Sequence, residues 1–450
     1  MAQIELTLQL HHCGSWHDTA ALTLLDVDAG ISGRTRVAYD VQYFVEFGSV
    51  PLLDGAPLKD SRALSVRFPV SLEDRGYDTW PPFLLDLLPQ GYARLRIAES
   101  LGLDPHTRST DTHLLRRAGA APVGNMRVKE AFEEAAPRLL DQPRIGVKME
   151  EIVNRSDRFL DVADRLALIA SGSSGLQGEW PKVALTQARD GLWYPDPMVD
   201  DDNAQAHVIV KLVRGRDPSD RLILEAEAGY AAVAKAFGLR VTGTSRYHDG
   251  VLVIPRFDRH VTKSGVVRFG QESMVSAIEV AAFGHLDSHE SYLAIIREHS
   301  VEPLADVIEY VLRDVLNLAM GNPDNHGRNT ALRKSNDGTV RLSPLFDFAP
   351  MRLATDTIVR STKWQCMATE GGDHAPDWAK VCRAAAGDTL PAEAIMAALT
   401  EKEDFLHELP KIARQHGIHP EVIERACARH RDIANRVAEL RPILSSGSMG

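Results

Sequence analysis

The chain has 450 residues, enough for two to four domains or one large bilobal enzyme at about 100–200 residues per domain. Hydrophobic residues make up 44% and charged residues 25%, which excludes a largely disordered chain and a collagen-like one. With 51 Lys+Arg against 62 Asp+Glu, the net charge of −11 makes non-specific binding to a phosphate backbone a poor reading, while a local basic groove stays compatible with it.

No apolar run reaches the about 18–20 residues that a spanning helix needs. The start, Met1-Ala2-Gln3-Ile4-Glu5, lacks a basic n-region followed by an apolar core, so a cytoplasmic protein with no membrane partner is expected. Four cysteines (Cys13, Cys366, Cys382, Cys427) are scattered without a C-x-x-C, which gives neither a disulfide framework nor a zinc-finger spacing. They read as buried or inert thiols in a reducing compartment.

In chain order, the first 70 or so residues predict strands and turns: 35–39 and 41–45 are β-rich runs, and 65–70 alternates weakly. A helix is predicted over 92–101, ended by Gly102, and another near 112–117. Residues 128–150, charged and irregular with Pro137 and Pro143, predict a linker. A glycine- and serine-rich segment follows at 171–178. Strands are then predicted at 182–186 and 207–213, a helix over 222–237 capped by Gly238, and a strand at 250–255, the order of a nucleotide-binding lobe. Beyond about 270 the pattern turns helical. Leu304, Val307, Ile308, Val311, Leu312 and Val315 form an i, i+3, i+4 stripe that Gly321 and Pro323 end, and 390–442 also reads as helical.

The segment Gly321-Asn322-Pro323-Asp324-Asn325-His326-Gly327-Arg328-Asn329 carries the chemistry. Asp324 and Asn329 keep the D-x-x-x-x-N spacing of a kinase catalytic loop. One carboxylate accepts the proton of an attacking hydroxyl, and a nearby amide oxygen binds Mg²⁺. A second carboxylate follows in Leu345-Phe346-Asp347-Phe348, after the strand-like Val340-Arg341-Leu342. Mg²⁺ takes one or two carboxylates plus phosphate oxygens, so these anchors suffice. Alone the Asp-Asn spacing is weak, because a capped loop explains it equally well. The order of Gly/Ser loop, strand lysine, helix glutamate, catalytic loop and second aspartate strengthens it. Lys211 lies in an apolar strand with Glu227 (or Glu225) on the next helix as its candidate partner, the pairing that holds an ammonium over ATP phosphates. No Walker A or G-x-G-x-x-G sequence is present. Of 17 histidines, His11-His12 and His416/His419 fit no metal motif and read as structural. Trp80, Trp180, Trp193 and Trp364 read as packing residues.

These residues together resemble the HipA-type serine/threonine kinases of bacterial toxin–antitoxin modules. The resemblance rests on Pro82-Phe83-Leu84-Leu85-Asp86-Leu87-Leu88-Pro89, on Asp111-Thr112-His113-Leu114-Leu115-Arg116-Arg117-Ala118-Gly119 with Pro122-Val123-Gly124, and on the 172–182 segment. It also rests on Val208-Ile209-Val210-Lys211, Arg256-Phe257-Asp258-Arg259 and the 322–329 loop. The resemblance implies an α+β, bilobal, protein-kinase-like fold, with a mixed α/β N-terminal lobe and a mostly α-helical C-terminal lobe. The expected parts are an N-terminal α/β subdomain over 1–145, an ATP-binding part over 146–258 and a helical catalytic lobe over 259–450.

By that resemblance, Asp324 is the catalytic base, and Asn329 and Asp347 hold Mg²⁺. Lys211 contacts ATP phosphates, with Glu227 beside it. Ser174, Gly175, Gln177, Gly178 and Lys182 belong to the phosphate loop. Pro255, Arg256 and Phe257 present backbone to adenine with Asp258 nearby, and His326 and Phe346 flank the catalytic carboxylates. Ser173 or Ser174 is the expected site of self-phosphorylation, with Ser171 the other choice. Pro255 before the Arg-Phe-Asp-Arg run and Ala349 after Asp347-Phe348 are departures from the family's pattern. A kinase toxin acting on a protein of translation, such as an aminoacyl-tRNA synthetase, is the first reading. It would have a helix-turn-helix antitoxin as partner and meet DNA only through that partner. An antitoxin-dependent co-repressor and a small-molecule phosphotransferase of kinase-like fold are the alternatives.

Overall fold

The structure, a computed structural model, describes residues 3–48, 62–141, 143–169, 180–213, 215, 217–263, 265–356, 358–370 and 375–447. The chain divides into two compact units: Met1–Arg214 with Val251–Phe283 and Arg333–Val340, and Gly215–Gly250 with Gly284–Leu332 and Arg341–Gly450.

The first unit opens on an antiparallel sheet with the strand order Arg75–Tyr77, Thr35–Tyr39, Ser15–Leu24, Ile4–His12, Met126–Val128. Leu6, Leu8, Leu10, Leu22 and Leu24 are all buried in one core, joined there by Phe83, Leu84, Leu85 and Leu87 of the short helix Pro82–Leu87. The strand expected at 35–39 is present, but 41–45 is not a strand. Asp40 accepts a hydrogen bond from the Tyr43 amide at 2.9 Å and caps the helix Val41–Phe47, so local capping outweighs the β-preference of the side chains. The run 65–70 is not a strand either, and only an isolated Ser65–Phe68 bridge forms there. Its backbone turns instead to a side chain: the Glu272 carboxylate accepts from Ser65 Oγ at 2.5 Å and from the Val66 amide at 2.9 Å. The expected linker after 128 is also mostly structured. Lys129–Leu140 is helical, with Ala131 and Ala135 buried at i, i+4 spacing, and the burial of that face outweighs the backbone bond that Pro137 forfeits.

A second antiparallel sheet of this unit runs through Trp193–Pro195, Lys182–Ala188, Ala204–Leu212 and Val251–Pro255. Side chains alternate across it. Val183, Leu185, Val208, Val210, Val251 and Val253 enter a core with Val147, Ile152 and Phe159. Residues 182, 184, 186, 207, 209 and 211 therefore point to the opposite face, which decides where Lys182 and Lys211 lie.

The second unit is mostly helical. Its helix Pro218–Phe237 is capped by Asp217, whose carboxylate accepts from the Ser219 amide at 2.8 Å, and it ends where Gly238 takes the left-handed conformation at φ 103°. The expected stripe forms the helix Pro303–Ala319, and Val307, Val311, Leu312 and Val315 are buried. This helix also buries Asp306, Glu309, Arg313 and Asp314. Each is paired, as buried charges must be. Asp306 accepts from Arg341, Ser300 and the Leu342 amide, and Glu309 pairs with Arg240 and Arg313. Helices from Trp378 to Gly447 complete the unit, in line with the helical reading of 390–442.

Candidate active site

In the second unit the helix Pro303–Ala319 delivers the chain into the 321–329 loop. Gly321 makes the turn at φ 67°, and a Cβ there would sit 2.6 Å from the Ala426 carbonyl oxygen, so only glycine fits. Asn322 then braces the loop. Its side-chain amide donates to Asn317 Oδ1 at 2.9 Å, and its Oδ1 accepts from the Asp324 amide at 3.2 Å.

Asp324, Asn329 and Asp347, expected from the sequence to act together, line one cavity open to solvent. Phe346 and Phe348 line it as well. Asn329 Nδ2 donates to Asp324 Oδ2 at 3.2 Å and to the Asp324 carbonyl at 3.1 Å. The nitrogen end of the amide is thereby turned to Asp324, leaving Oδ1 as the acceptor end. His326 Nε2 lies 3.4 Å from Asp324 Oδ1. Asp347 has φ 51°, a left-handed conformation that a non-glycine residue adopts at a cost and that clusters at functional sites. It is fixed from both sides. The Leu345 amide donates to the Arg240 carbonyl at 2.8 Å, and buried Phe348 packs on Tyr230 with ring centroids 5.1 Å apart. Tyr230 in turn donates to the Met320 carbonyl at 2.7 Å, at the end of the helix that leads into the loop.

The cavity wall also holds residues the sequence reading did not select. Asp314 accepts from Arg360 at 2.7 Å and from Trp364 Nε1 at 2.8 Å. Burial opposes its charge, but Arg360 and His289 overcome this and hold its carboxyl below the usual range. His289 stacks on Trp364 at 4.4 Å, and its Nδ1 lies 2.9 Å from the Tyr310 hydroxyl. Asn325 bonds to the 361–362 backbone. A carboxylate inside an apolar helical stripe was the one signal in the sequence that pointed to Asp314. Nothing local marked Arg360 or Thr362.

In the first unit, strand register sets Lys182 directly opposite Lys211, on the sheet face away from the core, with Lys211 buried. Pro255 pairs with Val208 at the end of the neighbouring strand, and Phe257 is half-buried just beyond it. Arg256 and Asp258 turn their side chains inward. Arg256 grips Asp258 with Nε to Oδ1 at 2.9 Å and Nη2 to Oδ2 at 2.5 Å, and its Nη1 lies 3.3 Å from Asp196. Arg259 bonds to Asp196 at 2.6 Å, and the Gly124 amide donates to Asp258 at 2.8 Å. Burial works against the charge of Asp258, yet Arg256 and Arg259 hold its carboxyl down at about 2. The Arg-Phe-Asp-Arg run thus ties the 122–124 loop to the sheet through its side chains. Glu227 is buried in the helix Pro218–Phe237 of the second unit. Ser171, Ser173, Ser174, Gly175, Gln177 and Gly178 lie outside the described residues.

A mixed sheet-bearing unit, a helical unit, and a loop aspartate, asparagine and second aspartate around one cavity define a protein of bilobal, protein-kinase-like fold. A model described as the HipA-like C-terminal domain matches residues 174–406, and one described as the HipA N-terminal domain matches 54–129. The first spans more than half of the sequence, and the chain belongs to the HipA family. Two proteins of Sinorhizobium fredii are similar to it. "Putative kinase Y4mE" is 29% identical over 299 residues, 63% of this chain and 67% of that protein. "Putative kinase Y4dM" is 27% identical over 334 residues, 70% and 71% of the two chains. Among solved structures, the HipA of the Shewanella oneidensis MR-1 toxin–antitoxin complex with HipB and operator DNA aligns over 98% of both chains, with a TM-score of 0.62 and 15% identity, a likeness of fold. No helix among the described residues is long and apolar enough to cross a membrane.

Proposed function

We propose that the chain is an ATP- and Mg²⁺-dependent serine/threonine kinase that acts as the toxin of a toxin–antitoxin module in the cytoplasm. The observation that carries this reading is the meeting of Asp324, Asn329 and Asp347 at one cavity, with the Asn329 amide bonded to Asp324. Asp347 and the Asn329 amide oxygen are hard oxygen donors that would hold Mg²⁺ together with phosphate oxygens, which leaves Asp324 to act as the base. When bound, the metal neutralises the charge of the phosphoryl group being transferred.

Asp324 accepts the proton of the attacking serine or threonine hydroxyl. Its bond from Asn329 and the nearby His326 keep that carboxylate in place. Asp347 and the Oδ1 of Asn329 take the metal. Lys211 and Lys182, opposed across the strand pair, bind phosphate oxygens as point charges. Pro255 to Phe257 offer backbone to the adenine, while Arg256 and Asp258 hold that backbone through their own ion pair. Ser174, Gly175, Gln177 and Gly178 cover the phosphates, and Ser173 or Ser174 accepts a phosphoryl group from the enzyme itself.

A protein of translation is the proposed substrate class. A helix-turn-helix antitoxin is the proposed partner, through which the chain meets operator DNA; the Shewanella structure is a complex of HipA, HipB and operator DNA. The test is transfer from γ-labelled ATP to a cell lysate and to the chain, with labelled peptides identified by mass spectrometry. Asp324→Ala and Asp347→Ala should each cut transfer about 10²- to 10⁴-fold with an unchanged circular dichroism spectrum. The 171–182 peptide should carry the phosphate in the wild type only. Near-wild-type transfer by either variant would remove the assigned roles. Label on sugars or aminoglycosides but never on protein would favour a small-molecule phosphotransferase.

A further inference from the structure

Asn325 lies between the two residues read as base and metal ligand, and the chemistry assigned to the loop gives it no part. Its side chain nonetheless behaves as a piece of backbone. Oδ1 accepts from the amides of Ser361 and Thr362, both at 3.2 Å, and Nδ2 donates to the Thr362 carbonyl at 2.9 Å. Thr362 Oγ1 closes the pair by donating to the Asn325 carbonyl at 2.8 Å. Four hydrogen bonds thus join one loop residue to one dipeptide, and Thr362 is 1% exposed.

The same short segment is held at its other positions by different elements. Arg360 and Trp364 both bond to the buried Asp314 carboxylate of the helix Pro303–Ala319. The His289 amide donates to the Lys363 carbonyl at 3.0 Å. Residues 360–364 are therefore anchored to the helices, and Asn325 joins the 321–329 loop to that segment. An amide making both backbone-like bonds fixes distance and orientation together, which a single hydrogen bond does not.

We infer that Asn325 is a positioning residue. Together with Thr362 it registers the Asp324–Asn329 loop against the 360–364 segment, so that the proton-accepting carboxylate is pre-set for the acceptor hydroxyl without a modification on that segment. This rests on the kinase reading above. Misplacing a reacting group by about 1 Å costs on the order of 10²-fold in rate, so losing the register slows transfer more than it weakens nucleotide binding.

The experiment uses the full chain with Mg²⁺, γ-labelled ATP and dephosphorylated casein as acceptor, and it follows label on casein and on the chain. Asn325→Ala should lower kcat about tenfold to a hundredfold. Its KM for ATP should stay within about twofold, and hydrogen exchange at the Ser361 and Thr362 amides should speed up at least about tenfold as the bonds are lost. Thr362→Ser, which keeps the hydroxyl, should match the wild type, and Thr362→Val should fall between. Wild-type kcat in Asn325→Ala, or unchanged exchange at 361–362, overturns the inference. So does an equal loss of kcat, ATP affinity and thermal stability in both Asn325→Ala and Thr362→Ser, because that is general loosening. If the wild type labels neither casein nor itself, the kinase reading falls first and the positioning role goes with it.

Discussion

Asp258 shows what a single side chain contributes when its partners are fixed. Its carboxyl sits at about 2, below the ordinary aspartate value near 3.9, because Arg256 and Arg259 outweigh the cost of burying it. A depressed folded-state pKa stabilises the fold above the unfolded value, and that contribution is lost as pH falls from about 4 to about 2. It amounts to on the order of 2 kcal/mol at neutral pH. In Asp258→Asn, Arg256 keeps only Asp196 as a carboxylate partner, so a loss of about 3 kcal/mol at pH 7, the low end for breaking a buried pair, is expected. The decline of melting temperature between pH 4 and pH 2.5 should be shallower than in the wild type. Parallel wild-type and variant curves over that range would show that Asp258 is not the titrating group. The sequence marked this residue by resemblance only. That its side chain serves the fold is set by Asp196, Gly124 and Pro122, remote positions that no local pattern connects to it.

Among the elements, the decisive one is the helix Pro303–Ala319 with the loop it delivers. Gly321 ends the helix region in a left-handed conformation against Ala426, and the Arg352 amide donates to its carbonyl at 3.1 Å. Gly321→Ala adds both backbone strain and a clash with a carbonyl oxygen, so a destabilisation of about 1–3 kcal/mol is expected, with loss of activity exceeding loss of folded protein. Equilibrium unfolding alongside the specific activity of the folded fraction would check this, and an unperturbed variant would mean the turn tolerates a side chain. The helix itself was legible from its i, i+3, i+4 stripe. The misread elements share one cause. At 41–45 a cap, at 65–70 a distant carboxylate, and at 128–150 a buried alanine face each outweighed the side-chain preferences that short windows report.

For the molecule as a whole, the HipA family relationship makes a partner the next question. A strain carrying the complete operon should yield this chain bound to a small helix-turn-helix protein on affinity purification, and the complex should bind operator DNA with the salt dependence of phosphate contacts. The net charge of −11 leads to the expectation that the chain without its partner binds the same DNA weakly. Recovery of the chain alone from such a strain, or equal DNA binding without the partner, would count against the module.

The sequence by itself determined the periodic elements and the order of the chemical residues, because periodicity and spacing are local properties of the chain, and the fold class followed from the family resemblance that those residues carry. The candidate carboxylates and the amide at 329 were readable for that reason. Only the tertiary structure decided that Asp314, Arg360, Trp364 and Thr362 close around the loop and that Lys182 faces Lys211. These depend on strand register and helix packing between distant segments, and such contacts leave no mark in any short stretch of sequence.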